Sequence, residues 1–359
     1  MKQLSRRQFL GLSAAGLAGG TLPAQVLAAG APANDDIVSF FLIGDTHYLA
    51  NRDQAKQLTA TSRLLTTRLV DWLNRLPGTA ISEKAGGGKV ATPRGLIHAG
   101  DLIDSGDRTG KNFVRMQETE LAAYVADFGL TGKDGRLRFP VYEVHGNHDA
   151  PQGDGLVPGA IRTRNKNRPG LMNVSANGLH YSWDWGGIHF LCLGIVVGAV
   201  AETARRRRYH PQDSLAFLVA DLNRHVGESN RPVIITHHVD VARYSLPCDP
   251  KAPAGNHEWD PCDVRAYYQA LRNYNVIGIC YGHTHARRLF HWDGTRTAAK
   301  TGIPIFNTDK ASHFQHVNQA ILYFEVGRKE MIVREFGTRD RWQTAQWTPQ
   351  TWRFPVQRG

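Results

Sequence analysis

The chain has 359 residues, 42% of them hydrophobic and 21% charged, with 36 glycines and 17 prolines. That composition can bury a large core and excludes collagen-like repeats and wholesale disorder. The formal charge is +11; without Lys2, Arg6 and Arg7, which fall in the leader described next, it is about +8, an excess that steers toward anionic partners in general.

Ser5-Arg6-Arg7-Gln8-Phe9-Leu10 precedes a weakly apolar, Gly/Ala-rich stretch from Gly11 to about Leu27, and no acidic residue comes before Asp35. The pattern resembles a twin-arginine export signal, with Ala28, Ala29, Ala31 and Ala33 offering cleavage points. A membrane anchor is the alternative, but Gly19-Gly20 and Pro23 interrupt the stretch, which falls short of the ~20 strongly apolar residues that a span needs. Residues 1–33 are read as a leader, 34–337 as one catalytic domain and 338–359 as a Trp-rich tail packed on it. The expected location is periplasmic or secreted, reached through the twin-arginine machinery, with no transmembrane span left after removal of the leader.

Short apolar runs follow, each stopping at a polar cluster. Ile37–Ile43 meets Gly44-Asp45-Thr46-His47, and Gly95–Ala99 meets Gly100-Asp101-Leu102-Ile103-Asp104. Val141–His145 meets Gly146-Asn147-His148-Asp149, Pro232–Thr236 meets His237-His238, and Val276–Tyr281 meets Gly282-His283-Thr284-His285. All five read as buried strands. Helical stripes separate them: Leu58, Leu65, Leu69, Trp72 and Leu76; Leu121, Tyr124, Val125 and Phe128; Leu215, Leu218, Leu222 and Val226, with Asp213-Ser214 placed to cap the third. A fourth helix is expected from about Asp263 to Arg272. From Arg288 onward, Arg288–Trp292, Ile303–Asn307, Ala320–Val326 and Met331–Phe336 read as successive strands. The pattern is α/β with mixed sheets. Cys192 and Cys280 lie inside apolar runs and are expected as buried free thiols. Cys248 and Cys262 bracket a Pro/Gly-rich loop, and an oxidising compartment would permit a bridge between them.

Ligands in open α/β folds bind beyond the carboxyl ends of strands, so clusters spread from 45 to 285 converge on one site and argue for one domain. The clusters offer Asp, His and Asn without Cys, a donor set suited to Mn, Fe, Co, Ni or Zn. Asp45, His47, Asp101, Asn147, His237, His283 and His285 are too many for one ion, which keeps three or four protein ligands. Two ions sharing a carboxylate would use them all.

These five motifs, in this order, resemble the calcineurin-like metallophosphoesterase superfamily. The resemblance implies two mixed β-sheets in a sandwich flanked by helices, with two divalent or trivalent transition-metal ions at one edge. It implies that Asp45, His47 and His285 hold one ion, that Asn147, His237 and His283 hold the other, and that Asp101 bridges them; His238 is read as standing behind His237, with His238 as the ligand in its place the alternative. A hydroxide held between the ions would attack the phosphate ester. His148 is placed to bind a phosphoryl oxygen or protonate the leaving group. Asp104 is the candidate to orient His148, and Asp149 is a turn residue. Asp104 stands where purple acid phosphatases carry a tyrosine, and Ser105 where protein Ser/Thr phosphatases carry an arginine after that aspartate. What remains resembles the broad group of bacterial phosphodiesterases and phosphatases.

Outside the motifs, Pro151–Gly178 reads as a long loop whose Arg162, Arg164, Lys166 and Arg168 either bind the substrate or face solvent. Arg205–Arg208 reads as a solvated basic run, His313 and His316, which follow the strand Ile303–Asn307, as structural with lining of the pocket as the alternative, and Trp342, Trp347 and Trp352 as packing of the tail rather than a base-stacking platform. No nucleic-acid module accompanies the charge. The expected activity is hydrolysis of a small anionic phosphate ester, phosphomonoesters preferred. Alternatives are a phosphodiesterase acting on cyclic nucleotides, glycerophosphodiesters or lipid headgroups, and a catalytically silent metal-binding protein.

Overall fold

The computed structural model describes residues 37–199, 207–249, 251, 258–296 and 298–357. The leader and Arg205-Arg206 of the basic run lie outside them. No helix among the described residues is long and apolar enough to cross a membrane.

Two sheets form the centre. The first has the order β13(Gln346–Pro355), β12(Glu330–Thr338), β11(Gln319–Val326), β1(Val38–Ile43), β2(Leu96–His98), β3(Val141–Glu143), with β1, β2 and β3 parallel. The second has the order β4(Leu171–Val174), β5(Tyr181–Trp185), β6(Ile188–Cys192), β7(Val233–Thr236), β8(Val276–Tyr281), β10(Ile303–Asn307), β9(Arg288–Trp292), parallel from β6 through β10. Successive strand residues face opposite sides, and β1 shows the result. Phe40 and Leu42 join Phe190, Ile234 and Phe306 between the sheets, whereas Phe41 and Ile43 pack with Leu65, Leu69 and Tyr124 of α1(Ala60–Arg75) and α2(Lys111–Phe128). A third cluster, with Leu191, Ile235, Leu218 and Tyr267, sets α4(Ser214–Asp221) and α5(Pro261–Leu271) against the second sheet. The layering is α/β/β/α, the expected fold class.

Four expectations change in detail. Pro151–Gly178 is not a loop: it contains α3(Leu156–Asn167) and β4. Pro158-Gly159 in the first turn of α3 masked the helix, since Pro is tolerated there but reads as a breaker. Its arginines are structural: Arg164 and Arg168 both pair with the buried Glu143, and Arg162 donates to the Asn177 and Gly153 carbonyls. Asp213 gives α4 no side-chain cap, and Ser214 Oγ instead bonds Val196 and Gly198. The tail is a full strand, β13, at the edge of the first sheet, with Trp342 and Trp347 buried and Trp342 Nε1 donating to Ala311. The Cys248–Cys262 disulfide is present, and Cys192 and Cys280 are buried free thiols.

Candidate metal centre

The five polar clusters sit at the carboxyl ends of β1, β2, β3, β7 and β8, and the two sheets bring them together. The backbone is bent to aim them. Asp45, His47, Asp101, His283 and His285 have φ between 44° and 69°, half of the ten non-glycine residues with positive φ among those described. Such conformations cost of order 1–3 kcal/mol each and persist where the surroundings over-determine them. Two motif glycines permit the close approach. A Cβ on Gly146 would lie 2.2 Å from Asp101 Oδ1, and one on Gly282 would lie 2.5 Å from Asp45 Oδ2.

Three histidines have one ring nitrogen fixed by an outer acceptor, which decides what the other nitrogen offers. His47 Nδ1 donates to Asp104 Oδ1 at 3.1 Å, so its Nε2 carries the lone pair. That nitrogen lies 3.2 Å from His285 Nε2, 3.5 Å from Asp101 Oδ2 and 4.0 Å from Asp45 Oδ1. His238 Nδ1 donates to the Ala99 carbonyl at 2.7 Å, leaving Nε2 facing Asn147 Oδ1 at 3.1 Å and Asp101 Oδ2 at 3.3 Å. His283 Nε2 donates to Glu258 Oε1 at 3.1 Å, and its Nδ1 lies 2.7 Å from Asn147 Oδ1. Lone pairs thus face oxygen lone pairs at contact distance, an arrangement that needs positive charge between them. Without a cation, protons supply it. Burial opposes charge on His238, yet the Asp101 carboxylate lifts its pKa to about 9. Burial likewise opposes charge on Asp101, while His238, His47 and His148 hold its carboxyl well below the usual range. The donor set fits metal ions: Asp45, His47, Asp101 and His285 form one group, Asp101, His238 and His283 another, with Asp101 common to both.

His237 does not join them. It is buried on the helix side of the sheet, 5.3, 5.6 and 6.0 Å between ring centroids from Trp259, Tyr267 and Tyr281. Neither of its ring nitrogens has a hydrogen-bond partner, and burial pushes its pKa down to about 3. The reason is alternation: His237 continues the face of Ile235, which packs on α4 and α5, whereas His238 continues the face of Ile234. The strand period, applied one residue further, selects His238.

Asp104 also acts differently from expectation. Its carboxylate binds His47 and, at 3.2 Å, Arg108. His148 Nδ1 instead meets the Asp104 carbonyl oxygen at 3.1 Å, with the carboxylate 3.9 Å away. His148 remains 31% exposed in its side chain, on the open side of the cluster, with its backbone N–H donating to Asp101 Oδ1 at 2.8 Å. Asp149 is structural, accepting from the backbone of Leu102, Ile103 and Gly146 and tying the third cluster to the second. Burial, then the neighbouring Asp101 charge, raises its pKa to about 7.

One participant escaped the sequence. Glu258, inside the disulfide-bracketed loop, matches no motif and is found only by its contact with His283. For His313 the pocket-lining alternative holds: its ring centroid lies 4.3 Å from that of His47 and 4.7 Å from that of His285. Its Nδ1 accepts the Gln315 backbone N–H at 3.2 Å, so neutral His313 carries its hydrogen on Nε2 and offers a donor rather than a metal ligand. Burial pushes its pKa down to about 3.

Residues 38–287 match the calcineurin-like phosphoesterase family model, and the chain belongs to that family. It is a metal-dependent phosphoesterase. No curated protein matches it. Among solved structures, a dimetal phosphatase from Danio rerio is 16% identical, with 89% of this chain and 99% of that one covered and a TM-score of 0.46. PhoD is 11% identical over 90% of this chain and 74% of that one, TM-score 0.48. GAP50, the anchor in the inner membrane complex of Plasmodium, is 10% identical over 90% of each chain, TM-score 0.45.

Proposed function

We propose that the protein is an exported two-metal hydrolase of phosphomonoesters. The observation that carries the metal reading is the set of three imidazoles, His47, His238 and His283, each fixed from outside and each turning a lone pair toward carboxylate or amide oxygen. Asp45, His47 and His285 would hold one ion, Asn147, His238 and His283 the other, and Asp101 both. Ions bound there supply positive charge for phosphoryl oxygens and lower the pKa of water. The chain's own residues do the rest. Asp104 and Glu258 fix the tautomers of His47 and His283. His148, with Nδ1 on the Asp104 carbonyl, is left with Nε2 free to hydrogen-bond a phosphoryl oxygen or pass a proton to the departing alkoxide. His313 adds a neutral N–H beside the same cluster.

Hydrolysis of p-nitrophenyl phosphate and bis-p-nitrophenyl phosphate by metal-stripped protein reloaded with Mn, Fe, Zn, Co or Ni tests the activity. A faster monoester rate is expected; a faster diester rate would assign the site to phosphodiesters, and no rate with bound metal would refute the enzyme reading. Asp101→Asn should lose metal and activity together. His148→Ala should keep metal and lose 10²–10⁴-fold in turnover, the span of general acid catalysis; an unchanged rate would remove His148 from the reaction.

Export is supported by the Arg6-Arg7 pattern and by the Cys248–Cys262 disulfide, which suits an oxidising compartment. Replacing Arg6 and Arg7 by lysine should retain the protein in the cytoplasm on cell fractionation.

A further inference from the structure

A cavity of about 520 Å³ lies where the edge strand of one sheet, β9, comes near the edge strand of the other, β13. Four guanidinium groups line it, those of Arg243, Arg287, Arg288 and Arg296, with Trp352 from β13 and a single acid, Asp240. Asp240 is buried and accepts the Ala242 backbone N–H, so its carboxylate is occupied locally. Arg243 pairs with Glu258 at 2.7 Å, and Arg287 pairs with Glu335 at 2.8 Å while its guanidinium carbon lies 5.2 Å above the Trp352 ring. Arg288 and Arg296 are exposed and have no carboxylate partner among the described residues. Against Asp240, Glu258 and Glu335 the four arginines leave one positive charge in excess, and the two unpaired guanidinium groups are the exposed ones.

Its place relative to the cluster follows from chain connectivity. Arg287 is two residues beyond His285 and Asp240 two beyond His238, at most about 7 Å of backbone in each case. The Arg243–Glu258–His283 chain of contacts connects the same two sites through side chains. The cavity and the metal centre are thus neighbours along the chain and through this contact chain.

We propose that this cavity is a second anion subsite, taking a phosphate group separate from the one that is hydrolysed. Guanidinium groups bind phosphate oxygens in paired, charge-assisted hydrogen bonds. The preferred substrate class, resting on the phosphoesterase reading above, is a phosphate ester with another phosphate carried on its leaving group. Free inorganic phosphate or pyrophosphate presents the same chemistry and would occupy the cavity as an effector.

The test compares kcat/KM for hexyl phosphate and hexane-1,6-diol bisphosphate in the wild type and in the Arg288→Glu/Arg296→Glu double variant. The wild type should prefer the bisphosphate by roughly tenfold or more through KM, the scale of one charged hydrogen bond, and the preference should fall in the double variant to about two or below, two being the statistical factor for a substrate with two equivalent phosphates. Calorimetric titration of the metal-free protein with pyrophosphate should show binding that the double variant loses. Binding of pyrophosphate with no bisphosphate preference would overturn the substrate assignment and give the cavity to a free anion. A bisphosphate preference insensitive to charge reversal, or no pyrophosphate binding together with no preference, would overturn the subsite. Absence of turnover on both esters would refute the phosphoesterase reading instead, leaving the titration to decide the cavity.

Discussion

Exchanging each member of the His237-His238 pair for phenylalanine separates a metal-facing imidazole from a packed one. His238 touches Asp101 and Asn147 through Nε2 and holds Ala99 through Nδ1. Outer partners of metal ligands alone are worth 10–100-fold in affinity, so loss of a direct donor should weaken binding by at least 100-fold, about 2.8 kcal/mol at 1.4 per decade. His237 offers no such contact. Its replacement removes two buried, unpartnered nitrogens, a relief of about 1–3 kcal/mol, while the larger ring presses on Trp259, Tyr267 and Tyr281 at an overpacking cost of about 1–3 kcal/mol. The two nearly cancel, so stability should change by no more than about 1 kcal/mol. Competition of Zn or Mn against a chelating dye gives the affinity, and urea unfolding of the metal-free protein gives the stability. Loss of metal in His237→Phe with retention in His238→Phe would refute the assignment and the alternation argument behind it.

Asp104→Ala frees His47 Nδ1 and should lower metal affinity 10–100-fold; an unchanged affinity with altered turnover would return the carboxylate to His148. Opening the disulfide in Cys248→Ser/Cys262→Ser, a loop with a separation of 14 residues, should cost about 3 kcal/mol in thermal or urea unfolding, and weaken metal binding through Glu258; equal stability would refute it. His189, far from the metal centre, sits between Asp184 at 2.8 Å and Asp221 at 2.6 Å. Burial opposes its charge, but these two carboxylates raise its pKa above the ordinary 6.5. The stabilisation is therefore complete below pH 6.5 and lost as pH rises through the raised value. Urea midpoints of the metal-free protein should fall more steeply above pH 6.5 in the wild type than in His189→Gln, and identical profiles would exclude the pair as the cause.

The strand-end clusters were legible because each ends an apolar run, and the late strands because their alternation and turns repeat. Arg288–Trp292 and Ile303–Asn307 match β9 and β10 residue for residue. The choice between His237 and His238 depended on which face of β7 meets helices, a tertiary fact that motif matching skips. Helix α3 was hidden by a proline that is harmless in a first turn. Glu258 lies outside every motif, and only its contact with His283 reveals it; His313 could be offered as pocket-lining from its place after a strand, but the choice over a structural role rests on its ring contacts with His47 and His285.

Of the seven side chains placed around the centre, Asp45, His47, Asp101 and Asn147 follow strands of the first sheet, whereas His238, His283 and His285 follow strands of the second. Bound cations would therefore rivet two separate layers at one end of the sandwich. Loading then has a mechanical result besides a chemical one: by mass action, ligand at 100 times its Kd adds about 2.7 kcal/mol of stability, applied across the seam between the sheets. The stripped protein should unfasten first at that end, so that amide exchange in the strand-end loops would report occupancy independently of any turnover.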